Sequence, residues 1–259
     1  MGKIIVAFNE KKPNAAKMAK QILEKAKKMK QPDRDFAVVL GGDGMMIKAA
    51  RRFAPRGIPF LGINLGRLGF LSGTDHKNIF PFIKNILHGR YRAEERAMLD
   101  VEMIKKSGRS AKFIALNDVA LKNGSVVRVI DLKLRINGEL ISEITSDGLL
   151  ISTPTGSTAY CLAAGGPIVH PLAEVLIVVP VSPHSLAYRP LVLSNKDTVE
   201  IEVSDNDNPI VLSVDGQLHR FLRSGDKVKI KISGIKAKLI FQEKNGYYEV
   251  LKEKFGWGK

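Results

Sequence analysis

Several features that define other classes of protein are scarce or missing in this chain of 259 residues. Its single cysteine, Cys161, excludes a disulfide framework within the chain and is typical of a reducing compartment. No apolar run is long enough to span a membrane, and the apolar start Met1–Val6 is too short for a signal peptide. We therefore expect a cytoplasmic protein without a membrane partner.

The short motifs of several enzyme classes are also missing. The chain has neither G-x-x-x-x-G-K-[ST] nor G-x-G-x-x-G, which excludes a Walker loop and a standard dinucleotide fingerprint. It has no G-x-S-x-G, which disfavours a serine hydrolase. The five histidines show no metal-ligand spacing, so we expect no metal site built from protein side chains.

Acidic residues are too few to balance the basic ones, which leaves a formal net charge of +15. Such a charge suits polyanionic substrates and raises the alternative of a nucleic-acid binder. However, the lysines are not interleaved with aromatic residues. In the densest run, Lys11–Lys30, they fall mostly opposite the apolar face of a helix, as on a solvated surface. We therefore expect no nucleic-acid partner.

The residues that are present are organised around Gly41-Gly42-Asp43-Gly44, between the apolar run Phe36–Leu40 and the helix-like run Met45–Phe53. Glycines let a backbone approach a ligand, and a helix start offers N–H groups to an anion. Asp43 would repel a bare phosphate unless it takes a proton from a hydroxyl or meets the phosphate through a metal ion. A tight turn with Asp43 capping the next helix explains the four residues equally well.

Residues 1–90 alternate strand-like and helix-like segments, which predicts a Rossmann-like α/β domain with a parallel sheet. Ligands bind such sheets at the carboxyl ends of the strands, where Gly41–Gly44 lies. Pro81 fits its helix only within the first turn. The expected elements are strand Lys3–Phe8, helix 14–29, strand Phe36–Leu40, helix Met45–Phe53, strand Ile58–Ile63 and helix 78–87.

After a charged linker at Gly89–Arg92 the pattern changes to short strands with few helices. Asn137-Gly138 between two such strands is a strong hairpin signal. We predict a C-terminal β-sandwich-like domain at 96–245. We also predict an N-terminal domain at 1–95 to which a tail at 246–259 returns. Further strands are expected at 129–136, 139–145, Leu149–Ser152, Val175–Val181, Thr198–Val203, Ile210–Val214, 227–232 and 237–241.

A hydroxyl-rich turn in the β-rich part is a candidate nucleotide site. The six positions Thr153–Thr158 carry four hydroxyl residues, and Asp147 precedes them. Hydroxyls here can cap a short helix or bond ribose and phosphate oxygens, while Tyr160 offers a ring to a base. A capped helix start with ordinary turn residues is the competing interpretation.

Two pairs of residues that each contain one aspartate occur in the same part of the chain. Asn117 and Asp118 place an amide beside a carboxylate near a strand end. Only a bulge or bend lets both reach one ligand, because neighbours in a regular strand point to opposite faces. Taken without their context, the two residues are better explained as a turn-forming pair. Asp215-Gly216 is typical of a hairpin turn.

Taken together, these segments resemble the NAD kinase family, from Gly41 to about Leu193 and more loosely from Lys3 to Gly258. The glycine motif alone is weak, because lipid kinases and phosphofructokinases have a similar one. STPTGSTAY following DGLL, in this order and spacing after GGDG, is highly specific. The matching segments are Gly41–Gly44, Leu61–Leu71, Leu116–Val119, Asp147–Tyr160, Gly165–Pro171, Pro183–Leu193 and Asp215–Gln217.

The resemblance implies an enzyme that transfers the γ-phosphoryl group of ATP, or a phosphoryl group of inorganic polyphosphate, to the 2′-hydroxyl of the adenosine ribose of NAD. Mg²⁺ or another divalent cation would bridge the phosphates. Asp43 then corresponds to the family's proton acceptor, and Gly41, Gly42 and Gly44 admit the donor, with Lys48 near a phosphate. The domain at 1–95 would bind the donor and the domain at 96–245 would bind NAD.

The resemblance also implies residues that bind NAD. Asn117 and Asp118 look like the pair that holds it, and Asp147, Thr158, Ala159 and Tyr160 look like contacts to its nicotinamide and adenine ends. A homo-oligomer, dimer or tetramer, is implied, with a neighbour completing the NAD site. Further candidate positions are Arg128, Thr145, Thr155, Ala163 and Gln217.

Two departures from the family leave donor preference open. Met45 stands where relatives usually have Thr, and Cys161-Leu162-Ala163 replaces a common Ser-Leu-Ser. Two other functions remain as alternatives. A lipid kinase with the same glycine loop predicts an apolar acceptor cleft, whereas a basic, non-enzymatic binder of nucleic acid or polyphosphate predicts salt-sensitive binding.

Overall fold

The computed structural model describes residues 2–29, 32–65, 69–72, 74–75, 79–124, 129–204, 209–242 and 246–256. The chain divides into two compact units, Met1–Glu95 with Ile235–Lys259, and Arg96–Gly234. The assignment of a donor domain and an NAD-binding domain to 1–95 and 96–245 stays a prediction. Among the described residues, none of the helices has both the length and the apolar content that crossing a membrane requires.

The first unit is an α/β structure with a parallel sheet, as the sequence predicts. Strands β1, β2 and β3 pair in parallel in chain order, and β4 pairs in parallel with the end of β3. All five residues of β2 and of β3 are buried, as expected for strands covered on both faces. The elements are β1 Ile4–Phe8, α1 Pro13–Ala26, β2 Phe36–Leu40, α2 Asp43–Phe53, β3 Phe60–Asn64, β4 Thr74–Asp75 and α3 Ile79–Leu87.

The helices of this unit follow their apolar periodicity. On α1, Ala15, Ala19 and Ile22 are buried and form one face of the helix. Pro81 is the third residue of α3, within the first turn, where its missing N–H costs no helical hydrogen bond. The predicted helix bounds are right to within a few residues.

The end of the chain belongs to this first unit. The sequence predicts two strands, at 227–232 and 237–241, but the structure has one strand, β16, over Lys227–Phe241. It continues through Ser233-Gly234 because both of its halves pair with other strands. The first half pairs antiparallel with the strand Thr198–Val203, and the second half, at Leu239 and Ile240, pairs in parallel with β3. A final helix, α5 (Tyr247–Phe255), packs Phe255 against Phe70, which confirms the predicted return of the tail.

The second unit is a β-sandwich. One sheet has the strand order β12-β11-β10-β7-β14-β15 and is antiparallel throughout. The other contains β13, β8 and β9 beside the first half of β16, with β5 and β6. The strands are β5 Arg92–Ile104, β6 Ser110–Ala115, β7 Asp118–Asn123, β8 Ile130–Ile136, β9 Glu139–Ser146, β10 Gly148–Ser152, β11 Val175–Val181, β12 Leu191–Ser194, β13 Thr198–Val203, β14 Ile210–Val214 and β15 Leu218–Leu222.

Inward-facing side chains of both sheets form one apolar core, which includes Leu99, Leu121, Leu132, Ile151 and Val199. This confirms the predicted sandwich-like architecture. The predicted linker at Gly89–Arg92 is shorter than expected, because β5 already begins at Arg92. The β8–β9 hairpin turns at Asn137 and Gly138 with φ of 53° and 88°, the positive values that such a turn requires.

Candidate active site

The glycine turn of the first unit follows β2 directly and opens α2. Gly41 has φ 153°, and a Cβ there would lie 2.9 Å from Cβ of Met45, so a glycine is required. The Gly41 N–H donates to the carbonyl oxygen of Ile63 at 3.0 Å, which fixes the turn to β3. Asp43 is the first residue of an 11-residue helix, and the helix dipole gives this end of the helix a partial positive charge. The turn therefore combines a helix start, whose dipole favours an anion, with one carboxylate.

The carboxylate of Asp43 is held by a second loop of the same unit. The Leu71 N–H donates to Oδ1 of Asp43 at 3.3 Å. An added Cβ on Gly69 would lie 2.1 Å from Oδ1, so the carboxylate rests against the backbone of this glycine. Lys48 lies further along α2 and its side chain is exposed. The structure thus places Asp43 in a defined position and Lys48 on the same helix.

In the second unit, Asn117 and Asp118 lie at the junction of two adjacent strands. Asp118 begins β7 and is paired with Ser152 at the end of β10. The Thr153 N–H donates to the carbonyl oxygen of Asn117 at 2.9 Å, and the Thr153 hydroxyl donates to that of Leu116 at 2.7 Å. The chain bends at Leu116 and Asn117, which is the irregularity that a shared ligand for Asn117 and Asp118 requires.

The hydroxyl-rich segment turns over the backbone of Asn117. Thr155–Thr158 form a single turn of 3₁₀ helix, and Tyr160–Ala163 form the short helix α4. An added Cβ on Gly156 would lie 2.1 Å from the carbonyl oxygen of Asn117, so the turn packs directly on that peptide. The structure therefore brings together the two segments that the sequence analysis assigned to one ligand.

Two buried oxygens at this junction have no partner in the described part of the chain. They are Oδ1 of Asn117 and Oγ1 of Thr155, and both residues are 8% exposed. Buried polar atoms in native proteins nearly always have a hydrogen-bond partner. A bound ligand with hydroxyl or amide donors would satisfy both oxygens. Ser157, in contrast, is used within the fold, because its hydroxyl accepts from the Val169 N–H at 3.0 Å.

A pair of buried carboxylates completes the junction. Asp215 accepts the backbone N–H groups of Leu116, Asn117 and Asp118 at 3.1, 2.7 and 3.3 Å. Asp118 is 6% exposed, and burial raises the pKa of its carboxyl from 3.8 to about 7, with the charge of Asp215 adding to the effect. At neutral pH, Asp118 is therefore a carboxyl that can donate as well as accept a hydrogen bond.

The remaining candidate residues differ in how far they are exposed to solvent. Thr158 and Ala159 are half-buried, and Tyr160 is 41% exposed on α4. Thr145, on β9, donates to Oδ1 of Asp131 at 2.5 Å. Asp147, Ala163 and Gln217 are exposed. Arg128 lies outside the described residues.

Sequence reasoning missed the roles of three residues, Asp215, Gly69 and Leu71. Asp215-Gly216 does form the predicted turn, with φ of 52° and 64°, but its carboxylate also binds the strand that carries Asn117. Gly69 and Leu71 lie within the segment that carries the resemblance, and only the fold shows that they meet Asp43. Within the described ranges, no group of three or more His, Cys, Asp or Glu side chains could hold a metal ion.

Comparison with known proteins fits these features. The ATP-NAD kinase N-terminal domain matches residues 4–91, and the ATP-NAD kinase C-terminal domain matches residues 116–241. The chain is 40% identical to the NAD kinase of Geobacter sulfurreducens over 225 residues, 87% of this chain and 79% of that protein. It is 42% identical to the NAD kinase of Thiobacillus denitrificans over 225 residues, 87% of this chain and 77% of that protein.

Two solved structures share the fold. Yeast NADH kinase complexed with NADH superposes with a TM-score of 0.88 at 25% identity, covering 100% of this chain and 89% of that one. An NAD kinase from Archaeoglobus fulgidus in complex with ATP gives a TM-score of 0.76 at 25% identity, covering 97% of both chains.

The fold and the site define a nucleotide-dependent kinase with an α/β unit and a β-sandwich unit. The chain belongs to the NAD kinase family. It is therefore an enzyme that phosphorylates NAD, which confirms the interpretation from sequence and sets aside the lipid kinase and the non-enzymatic binder.

Proposed function

We propose that this enzyme transfers the γ-phosphoryl group of ATP to the 2′-hydroxyl of the adenosine ribose of NAD, with Asp43 as the acceptor of the hydroxyl proton. The observation that supports this role is the carboxylate at the start of α2, held by the Leu71 N–H at 3.3 Å. A carboxylate within an anion-binding turn opposes a phosphate, but it suits a hydroxyl that is about to attack one.

The glycine turn is the proposed donor site. Gly41, Gly42 and Gly44 leave room for a phosphate to approach the N–H groups at the start of α2, and Lys48 on that helix adds a positive charge. A divalent cation fits this arrangement, because Mg²⁺ in kinases is held largely by the donor's own phosphate oxygens with few carboxylates. The cation would neutralise charge on the transferred group. Inorganic polyphosphate offers the same phosphate chemistry and is a second proposed donor.

The junction of β7 and β10 is the proposed NAD site. The partnerless oxygens of Asn117 and Thr155 accept hydrogen bonds from ribose hydroxyls or the carboxamide of NAD. Asp118, with its pKa near 7, donates or accepts there. Tyr160 supplies an exposed ring for the adenine, and Thr158 and Ala159 directly precede it in the chain. Asp147, at the start of the segment that leads to this turn, is a further proposed contact to NAD.

Assembly and location are also part of the proposal. The resemblance to the family supports a homo-oligomer in which a neighbouring copy completes the NAD site around Asp147. The single cysteine, Cys161, which is free and buried, supports a reducing, cytoplasmic location.

The role of Asp43 is tested by Asp43→Asn, with the exposed Asp33→Asn in the same unit as a control for the change in net charge. NADP formation from ATP, Mg²⁺ and NAD should fall roughly 10²–10⁴-fold in Asp43→Asn, as expected for loss of a general base. NAD binding, followed by calorimetry, should remain. Turnover within a factor of two of the unaltered enzyme would remove Asp43 from this role.

A further inference from the structure

The loop that carries Gly69–Ser72 fixes the carboxylate of Asp43 from two sides. The Leu71 N–H donates to Oδ1, and the backbone of Gly69 packs against both oxygens, since an added Cβ there would lie 2.1 Å from Oδ1 and 2.9 Å from Oδ2. Leu71 and Ser72 are each 4% exposed, so this part of the loop is packed into the unit. The position of Asp43 therefore depends on the position of this loop.

The loop is in turn held by the C-terminal segment of the chain, at two points. The ring of Phe70 lies against that of Phe255 on α5, with 5.9 Å between the ring centroids. After the loop, Gln242, the residue that follows β16, donates from Nε2 to Oγ1 of Thr74 at 2.8 Å, and Thr74 is only 3% exposed. Helix α5 is itself anchored by the buried Leu251.

We propose that the C-terminal segment positions the catalytic base, with Phe255 and Gln242 fixing the loop whose Leu71 N–H and Gly69 backbone hold Asp43. The inference rests on the proposed role of Asp43. A misplacement of about 1 Å in a reacting group can cost roughly 10²-fold in rate. A loosened loop lets the carboxylate rotate away from the 2′-hydroxyl, while the NAD site in the second unit keeps its own contacts. Phe255 and Gln242 are thus positioning residues that act through Asp43.

The first test removes the ring of Phe255, which lies against Phe70 of the loop. In Phe255→Ala the loop loosens and the hydrogen bond from the Leu71 N–H to Asp43 weakens. We expect kcat to fall by up to about tenfold, because a hydrogen bond to a charged group is worth roughly that factor. The KM for NAD should stay the same. Phe255→Leu, which keeps an apolar contact with Phe70, should restore most of kcat. Glu253→Ala, an exposed position on the same helix, should behave as the unaltered enzyme.

The second test acts at Asp43 itself. The three atoms nearest to an added Cβ on Gly69 all belong to the Asp43 side chain, and Gly69 has no positive φ. Gly69→Ala should therefore fold normally while the carboxylate rotates away, and kcat should fall roughly 10²-fold. Because both changes disable one group, Gly69→Ala combined with Asp43→Asn should be no slower than Asp43→Asn alone.

These variants separate the inference from the proposed function. If the unaltered enzyme forms no NADP, the proposed function fails. If it forms NADP and Phe255→Ala keeps full kcat, or loses it only through a higher KM for NAD, the C-terminal segment has no positioning role. If Phe255→Ala does not fold, Gln242→Ala decides, because it removes the other contact of the C-terminal segment, and an unchanged kcat there overturns the inference.

Discussion

Replacing Asp118 by Asn should change how the stability of this protein depends on pH. The Asp118 carboxyl is 6% exposed, and burial together with the charge of Asp215 raises its pKa from 3.8 to about 7. Between these two values the folded state binds the proton more tightly than the unfolded state. The free energy of unfolding therefore falls as the pH rises through this window.

The size of the effect follows from the pKa. One pKa unit corresponds to about 1.4 kcal/mol, so the shift from 3.8 to about 7 amounts to roughly 4 kcal/mol lost between pH 4 and pH 8. In Asp118→Asn this loss is removed, because the amide carries no charge at any pH in the window. Burial also raises the pKa of the nearby Cys161 thiol to about 11, so that thiol stays neutral there.

Urea unfolding at several pH values between 4.5 and 8.5 (chosen to bracket the shift) measures the difference. The variant and the unaltered protein should have similar stability at the acidic end, and the variant should be the more stable by roughly 2–4 kcal/mol at the alkaline end. Asp33→Asn controls for net charge. If the stability of Asp118→Asn and that of the unaltered protein depend on pH in parallel, the pKa of Asp118 is not raised in the folded state.

Three further changes test other parts of the structure. Tyr160→Ala should weaken NAD binding in calorimetry, by roughly 1–2 kcal/mol, since it removes an exposed ring from the proposed base contact; an unchanged NAD affinity would remove Tyr160 from the site. Gly156→Ala should destabilise the fold by roughly 2 kcal/mol or more in urea unfolding. The added Cβ would lie 2.1 Å from the carbonyl oxygen of Asn117, a backbone atom that cannot rotate away. Unchanged stability would contradict this close packing. Asp226→Asn should lower the free energy of unfolding by about 2 kcal/mol, since the buried carboxylate accepts from Lys105 Nζ at 2.8 Å and from two backbone N–H groups. Unchanged stability in urea unfolding would mean that those hydrogen bonds contribute nothing.

The sequence predicts the elements that depend on local pattern. Phe36–Leu40 is an unbroken apolar run and forms the buried strand β2, and Asn137-Gly138 forms the expected turn. The single strand β16 was missed because Ser233-Gly234 has the composition of a break, and pairing with neighbours distant in the sequence decides whether a strand continues there. The short edge strand β15 was also missed, and its place in the sheet depends on pairing with β14.

In the candidate site, too, the residues that can be recognised from local sequence differ from those that only the fold reveals. Asp43 and Asn117 stand out because their residue types and neighbours carry chemistry. Asp215 and Gly69 do not, because their importance lies in which backbone atoms they meet across the fold. A carboxylate that binds three N–H groups 97 to 99 residues away looks, in the sequence, like an ordinary turn.

The proposed reaction is tested by incubating the purified protein with ATP, Mg²⁺ and NAD and measuring NADP with an NADP-specific dehydrogenase. The same reaction with polyphosphate in place of ATP distinguishes the two proposed donors. NADP formation that depends on a phosphoryl donor and on Asp43 is the predicted result. No NADP with either donor, from protein that is folded and binds NAD, would show that the protein does not catalyse the proposed reaction.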